Sequence, residues 1–369
     1  MPSVLNLKKS NCKNCHRCIR KCPVKSIRFT GHQARIISDE CVLCGQCFVV
    51  CPQDAKEIVD DRERVRVLLD SSATVIASVD PSFYACWDKC GINSVRKALM
   101  ELGFSDAEET AIGATIVKRE YERLLREQQQ DIIITSACAS LNLLVEKHFP
   151  DLRKYLAPVV SPMIAHAIDI KRRIPDAKVV FIGPCVAKKD EYEGTAVDVV
   201  LTFEEFDQMR LAAGIKIEPE FGESFPGRAR SFPVTGGILK SMDIPDTGYQ
   251  CLATNGPKNC MNALHDISSG NIHKCFIELA MCDGSCIDGP IMEKYINSPI
   301  RHICSVLQNT GTVDFDVPQP EPEVVAAQYI GSPLKKPVPS EDEIRAILSK
   351  LGKTSKGDEL DCGSCRSTV

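Results

Sequence analysis

Eight cysteines within the first 51 residues set the first chemistry of this 369-residue chain. They form two copies of one pattern, Cys12-x2-Cys15-x2-Cys18-x3-Cys22-Pro23 and Cys41-x2-Cys44-x2-Cys47-x3-Cys51-Pro52. Thiolates are soft ligands that select zinc, copper(I) and iron–sulfur clusters. Structural zinc sites draw on two Cys pairs, not on a repeated run of this spacing. An iron–sulfur cube needs thiolates converging from different directions. A tight loop supplies three, a distant segment supplies the last, and each proline turns the chain away after it. Four further cysteines, Cys138, Cys185, Cys282 and Cys286, sit in loops that follow apolar runs. Thiolates on such loops could encircle one more cube.

The repeated spacing is that of bacterial two-cluster ferredoxins, in which the fourth Cys of each run ligates the other cluster. On that pattern Cys12, Cys15, Cys18 and Cys51 hold one [4Fe–4S] cluster, and Cys41, Cys44, Cys47 and Cys22 hold the second. Short alternating stretches, Ser26–Phe29 and Lys56–Val59, read as strands of this small module, residues 1–61. It carries electrons one at a time, so a consumer is expected downstream. Arg62–Asp70 reads as a connector. Beyond it, four apolar runs of strand type each lead into a chemically loaded loop. Ala73–Val79 leads into Asp80-Pro81-Ser82, and Asp131–Ile134 into Thr135-Ser136-Ala137-Cys138. Lys178–Ile182 leads into Gly183-Pro184-Cys185, and Cys275–Ala280 into Met281-Cys282-Asp283-Gly284-Ser285-Cys286. Helical patterns lie between them, over Ser94–Leu102, Glu108–Arg126, Ala139–Phe149 and Phe203–Ala213. The expected fold is a ferredoxin-like α+β module followed by an α/β domain of mostly parallel sheet over residues 70–310. Such sheets place their sites beyond the C-terminal strand ends.

Composition narrows the classes further. With 45 Lys+Arg against 49 Asp+Glu and no basic block, nucleic acid is not the expected partner. No apolar run approaches the ~20 residues of a membrane helix. The start, MPSVLNLKKSNCKNC, lacks the pattern of a secretory signal. Twenty cysteines in such a chain are poorly explained as disulfides, and thiolate-bound cubes imply a reducing cytoplasm.

Three stretches resemble the signature motifs of [FeFe]-hydrogenases. They are Thr135-Ser136-Ala137-Cys138, Gly183-Pro184-Cys185-Val186-Ala187-Lys188-Lys189-Asp190-Glu191, and the run from Phe276-Ile277-Glu278 through Cys282 and Cys286 to Gly289-Pro290. The resemblance implies that Cys138, Cys185, Cys282 and Cys286 bind the [4Fe–4S] part of an H-cluster. Cys286 would also bridge to a diiron subsite bearing CO, CN⁻ and an azadithiolate. The implied reaction is reversible, two protons and two electrons giving H2, with the dithiolate amine as internal base. Lys188 matches the lysine that hydrogen-bonds a cyanide, a charge-assisted contact suited to a dry pocket. Pro81 and Ser82 match the residues near the other cyanide, and Glu191 could pair with Lys188 at i,i+3. The implied partners are H2 and protons, a soluble ferredoxin-like carrier and the hydrogenase maturation proteins.

The departures from the pattern are equally informative. Active members carry a proton-passing cysteine where this chain has Ala137, and alanine cannot relay a proton. Gly183 stands where a methionine is expected, Ala280 where another is, with Met281 shifted by one. The third motif ends early at Gly289-Pro290. A general acid–base group is worth about 10²–10⁴ in rate. These features resemble the sensory-type branches of the family, so slow turnover serving H2 or redox sensing is expected. The alternative is a hydrogenase-like iron–sulfur protein without the diiron unit, acting in cluster assembly or electron storage. Glu109 and Glu120 are carboxylates that could join a proton path.

Residues 311–339, with Pro318-Gln319-Pro320-Glu321-Pro322, read as a Pro-rich linker. Ser340 and Glu343 form a capping-box start for a helix over Glu341–Leu351, within a last segment of residues 340–369. Cys362 and Cys365 read as a partial site, the opening of a further [4Fe–4S] domain cut short at Val369. Cys86, Cys90, Cys251, Cys260, Cys275 and Cys304 read as small apolar packing residues.

Overall fold

The computed structural model describes residues 4–8, 11–87, 89–220, 227–331, 334 and 340–358. Cys362 and Cys365 lie outside them. Four short strands build the N-terminal module: β1 (Leu5–Leu7), β2 (Ile27–Thr30), β3 (Gln33–Ile36) and β4 (Lys56–Ile58). β1 pairs antiparallel with β4, and β2 with β3. Within each Cys run a short helix starts, Arg17–Lys21 and Gln46–Val49, after a residue in the left-handed region, His16 at φ 56° and Gly45 at φ 71°. The same backbone reversal in both runs sets three cysteines around one loop.

Arg62–Asp70 is not a plain connector, because Arg62–Leu69 is helical. The reason is amphipathic: Val65 is buried while the arginines face outward.

Seven strands follow, β5 (Val75–Val79), β6 (Asp106–Glu109), β7 (Ile132–Ile134), β8 (Lys178–Gly183), β9 (Val199–Thr202), β10 (Gln250–Asn255) and β11 (Cys275–Ala280). They form two parallel sheets, ordered β6-β5-β8-β9 and β10-β11-β7. β5 is buried along its whole length, as expected of a central parallel strand covered on both faces. The four loaded loops leave the C-terminal ends of β5, β7, β8 and β11, two from each sheet. Helices Ile92–Glu101, Ala139–His148 and Phe203–Ala212 fall where the apolar spacing places them.

One helix starts later than its pattern suggests. Asp106–Glu109 is a strand beside β5, and the helix runs Ala111–Glu127. Buried Ala107 packs like a strand residue, and pairing to β5 outweighs the local helical pattern. Three helices not anticipated, Pro162–Arg173, Pro257–Ser268 and Pro299–Gln308, each open with proline, which is pre-set for a first helical turn.

The described part of the Pro-rich segment is no free linker. Val317 and Val325 are buried, Arg119 Nη1 donates to Val317 O at 2.8 Å, and Tyr329 Oη donates to Val159 O at 2.9 Å. It is a strap laid on the core. The helix Glu341–Lys350 has the Ser340/Glu343 capping box and buries no residue. Among the described residues no helix is long and apolar enough to cross a membrane.

Candidate functional site

The two N-terminal Cys runs exchange their last members in space. Cys22 is an electrostatic neighbour of Cys41, Cys44 and Cys47, whereas Cys18 neighbours Cys15 and Cys51. Burial pushes the Cys44 thiol up to about 12 and Cys47 well above its usual range, with adjacent cysteines adding to it. The first set is nearer solvent, since Cys15 is exposed. Lys56, which the sequence did not single out, is buried and donates from Nζ to Ala34 O at 2.6 Å. Its charge acts on Cys12 and Cys18 of one set and Cys47 of the other.

The four strand-end cysteines line one cavity of about 40 Å³, with Cys44 at its rim. Cys138 follows β7, Cys185 follows β8, and Cys282 and Cys286 follow β11. Burial raises Cys185 to about 11 and holds Cys282 and Cys286 far up, so all three favour the neutral thiol. Iron must displace those protons to bind. Among the described residues, no three Cys, His, Asp or Glu side chains close on a single metal-ion position. A cube spreads its thiolates over several irons, and the donor set fits it: four soft ligands, dry, and mutually adjacent.

A second cavity, of about 70 Å³, lies beyond Cys286 and is walled by Pro81, Ala137, Lys188, Glu278 and Ser285. Lys188 is buried, donates to Ala137 O at 3.2 Å and pairs with Glu191 at 2.5 Å. Burial works against its charge, but Glu191 and Cys185 outweigh it and keep the ammonium above the usual lysine range. Pro81 faces the cavity, while the Ser82 hydroxyl is committed to Asp80 Oδ1 at 2.6 Å and the Ser82 N–H donates to the same oxygen at 2.9 Å. Asp80, missed from the sequence, walls both cavities, and burial raises its carboxyl. Glu278 was missed too. Burial lifts it to about 7, although Gly236 N–H and Leu239 N–H donate to it at 2.8 and 3.1 Å. Its sequence signals are its place in the third signature-like run and a charge inside a strand that is otherwise apolar.

The departures have structural causes. A Cβ on Gly183 would stand 2.6 Å from Phe181 Cζ and 3.0 Å from Asp80 Cβ, so the Phe181 ring occupies the space that a side chain at 183 would need. Met281 is fully buried and lines the cysteine cavity. Glu109 pairs with Arg230 at 2.6 and 2.7 Å and Glu120 with Arg123 at 2.8 Å, and neither carboxylate lines either of these two cavities. Cys86 contacts Met292 Sδ at 3.2 Å, and Cys260 donates to Ala280 O at 3.2 Å.

The fold and the cysteine sets define an iron–sulfur protein built from a ferredoxin-like module and an α/β domain. Residues 11–55 match the 4Fe-4S dicluster domain, and residues 72–244 and 239–290 match the iron only hydrogenase large subunit, C-terminal domain. The chain belongs to the iron-only hydrogenase large-subunit family. It is 26% identical over 245 residues to the NADP-reducing hydrogenase subunit HndD of Solidesulfovibrio fructosivorans, covering 54% of this chain and 42% of that one. Over 44 residues it is 48% identical to a ferredoxin of Saccharopolyspora erythraea, 12% of this chain and 42% of that one. The chain thus spans less than half the length of the curated relatives it matches. A variant of the [FeFe]-hydrogenase HydA1 from Chlamydomonas reinhardtii shares the fold, with TM-score 0.58 and 16% identity over 75% of this chain and 100% of that one.

Proposed function

We propose that this chain carries two [4Fe–4S] clusters and an H-cluster, and interconverts H2 with protons and electrons slowly, as a sensor of H2 or redox state. The N-terminal ligand sets are Cys12, Cys15, Cys18 and Cys51, and Cys41, Cys44, Cys47 and Cys22. Cys138, Cys185, Cys282 and Cys286 hold the third cube. When bound, the diiron unit supplies the open iron position and amine base at which protons and electrons combine. Lys188 offers a fixed ammonium to an anionic ligand of that unit, and Pro81 closes the wall against water. Electrons enter from a soluble ferredoxin-like carrier on the Cys15 side, and the maturation proteins install the diiron unit in a reducing cytoplasm.

The observation that carries this reading is the shared wall. Ala137, Cys138, Lys188 and Cys286 line both cavities, so the Lys188 ammonium, held by Glu191 and the Ala137 carbonyl, stands where the four-cysteine set meets the second cavity. Alanine at 137 offers no thiol to relay a proton at that wall, which supports slow turnover. Infrared spectroscopy of the matured protein tests it. Metal-bound CO and CN⁻ absorb where protein does not, and those bands are expected. Turnover about 10²–10⁴ below that of members with the relay cysteine is expected as well. Absent bands in matured protein would favour the cube-only alternative, and fast turnover would remove the sensory assignment.

A further inference from the structure

A file of polar side chains runs from the larger cavity to the surface. Thr110 lines the cavity. Its Oγ1 lies 2.7 Å from Ser78 Oγ, which lies 2.8 Å from His166 Nδ1. On the far side of the ring, His166 Nε2 stands 3.1 Å from Glu108 Oε2. Arg173, 40% exposed, holds Glu108 through two bonds of 2.9 and 2.6 Å. Ser78 and His166 are wholly buried.

The fold builds this file deliberately. Ser78 is directly paired with Glu108 across β5 and β6, so both side chains share one face of the sheet. Thr110 keeps that parity two residues further on. The helix Pro162–Arg173 brings His166 down onto the same face. A Cβ on Gly113 would stand 2.2 Å from Pro162 O and 2.7 Å from His166 Cβ, so glycine is what lets the two helices close far enough. Thr110 is the N-cap of the helix Ala111–Glu127 yet makes no capping bond. Its hydroxyl, which would ordinarily stabilise that helix, is spent on Ser78. Ser78 is in turn the only polar residue of β5.

Resting on the proposed H2 chemistry, we propose that Glu108, His166, Ser78 and Thr110 form a proton wire that serves the cavity in place of a relay thiol at position 137. Every inner member both donates and accepts. A proton taken by Glu108 passes to His166 Nε2, and Nδ1–H is handed to Ser78 Oγ. The Ser78 proton moves to Thr110 Oγ1, and the Thr110 proton leaves into the cavity. One proton enters, one leaves, and no electron moves. Rotation of the two hydroxyls and exchange of the ring tautomer reset the file. The charged groups around the ring are Glu108 and Glu109 from β6, with Asp169 and Arg173 from its own helix. Glu109 is already neutralised by Arg230. Burial favours the acid form of Glu108, but His166 and Arg173 bring it down to about 2, so it holds a proton only in transit.

The test uses matured full-length protein and the Thr110→Val, Thr110→Ser and Ser78→Ala variants. After a pH jump, the rate at which the metal-carbonyl bands relax to their new positions reports proton delivery rather than turnover. Relaxation about tenfold or more slower is expected for Thr110→Val and Ser78→Ala, with unchanged final band positions, while Thr110→Ser stays within about threefold of wild type. H2 turnover falls in parallel. Thr110→Val relaxing at the wild-type rate would overturn the wire, as would shifted bands without slowed relaxation, which mark a structural role. Matured wild-type protein without carbonyl bands would instead remove the proposed function, a result distinct from bands with unchanged rates.

Discussion

A buried ammonium is costly unless its charge is met. Lys188 meets Glu191 on one side and the Ala137 carbonyl on the other. Replacing Lys188 by alanine strands the glutamate, although Ser161 Oγ still donates to it at 3.1 Å. A loss of about 2–3 kcal/mol is expected in denaturant unfolding of the diiron-free protein, below the 3–5 of fully buried pairs. Glu278 gives a signed pH effect. Its carboxyl sits at about 7 in the folded chain, above the 4.5 usual for glutamate, so the folded state favours its acid form. That stability is complete below about 4.5 and is lost as pH rises through 7. The Glu278→Gln variant should lack this slope. Relative to wild type it should gain on the order of 2–3 kcal/mol between pH 4.5 and 8, read from urea midpoints at each pH.

Among the elements, the Phe181 ring decides what position 183 can hold. Methionine there would strike Phe181, so Gly183→Met should destabilise by about 1–3 kcal/mol, and adding Phe181→Ala should recover much of it. Thermal unfolding of the two variants decides this. Such a contact is invisible in a sequence, because residue 181 owes its rotamer to the packed sheet. The cysteine runs and the apolar strands β5, β7, β8 and β11 were readable, because ligand spacing and apolar runs are local. β6 was not: Asp106–Glu109 is acidic and becomes a strand only through pairing with β5, some thirty positions earlier. β10, half-exposed along its length, lacked the apolar run that marks a strand. The direction of Asp80 into the cavities, rather than Ser82, likewise depends on tertiary placement. The file through Ser78, Thr110 and His166 joins residues far apart in the chain, and no spacing rule finds it.

For the molecule as a whole, a buried cation strengthens a junction that Ser140 Oγ to Val42 O and Lys147 Nζ to Cys41 O also bridge. Lys189 Nζ bonds Asp61 at 2.6 Å and Glu205 at 2.9 Å, tying the end of the N-terminal module to the α/β domain. Lys189→Met leaves Asp61 with Arg64 alone and Glu205 with backbone N–H donors alone, and should cost about 3 kcal/mol in denaturant unfolding. The exchanged Cys sets predict that Cys51→Ser and Cys22→Ser each remove a different cluster. Iron analysis and electron paramagnetic resonance should show one cube lost in each case, the outer with Cys51→Ser and the inner with Cys22→Ser.

Cys44 and Cys282 lie close enough for each to feel the other's charge, across the rim of one cavity. Cubes seated on either side of that rim would repel one another's added electrons through a medium of low dielectric. Reduction of the pair should therefore be anti-cooperative, spread over a wider span of potential than two independent centres would show. Filling the first would make the second harder to fill.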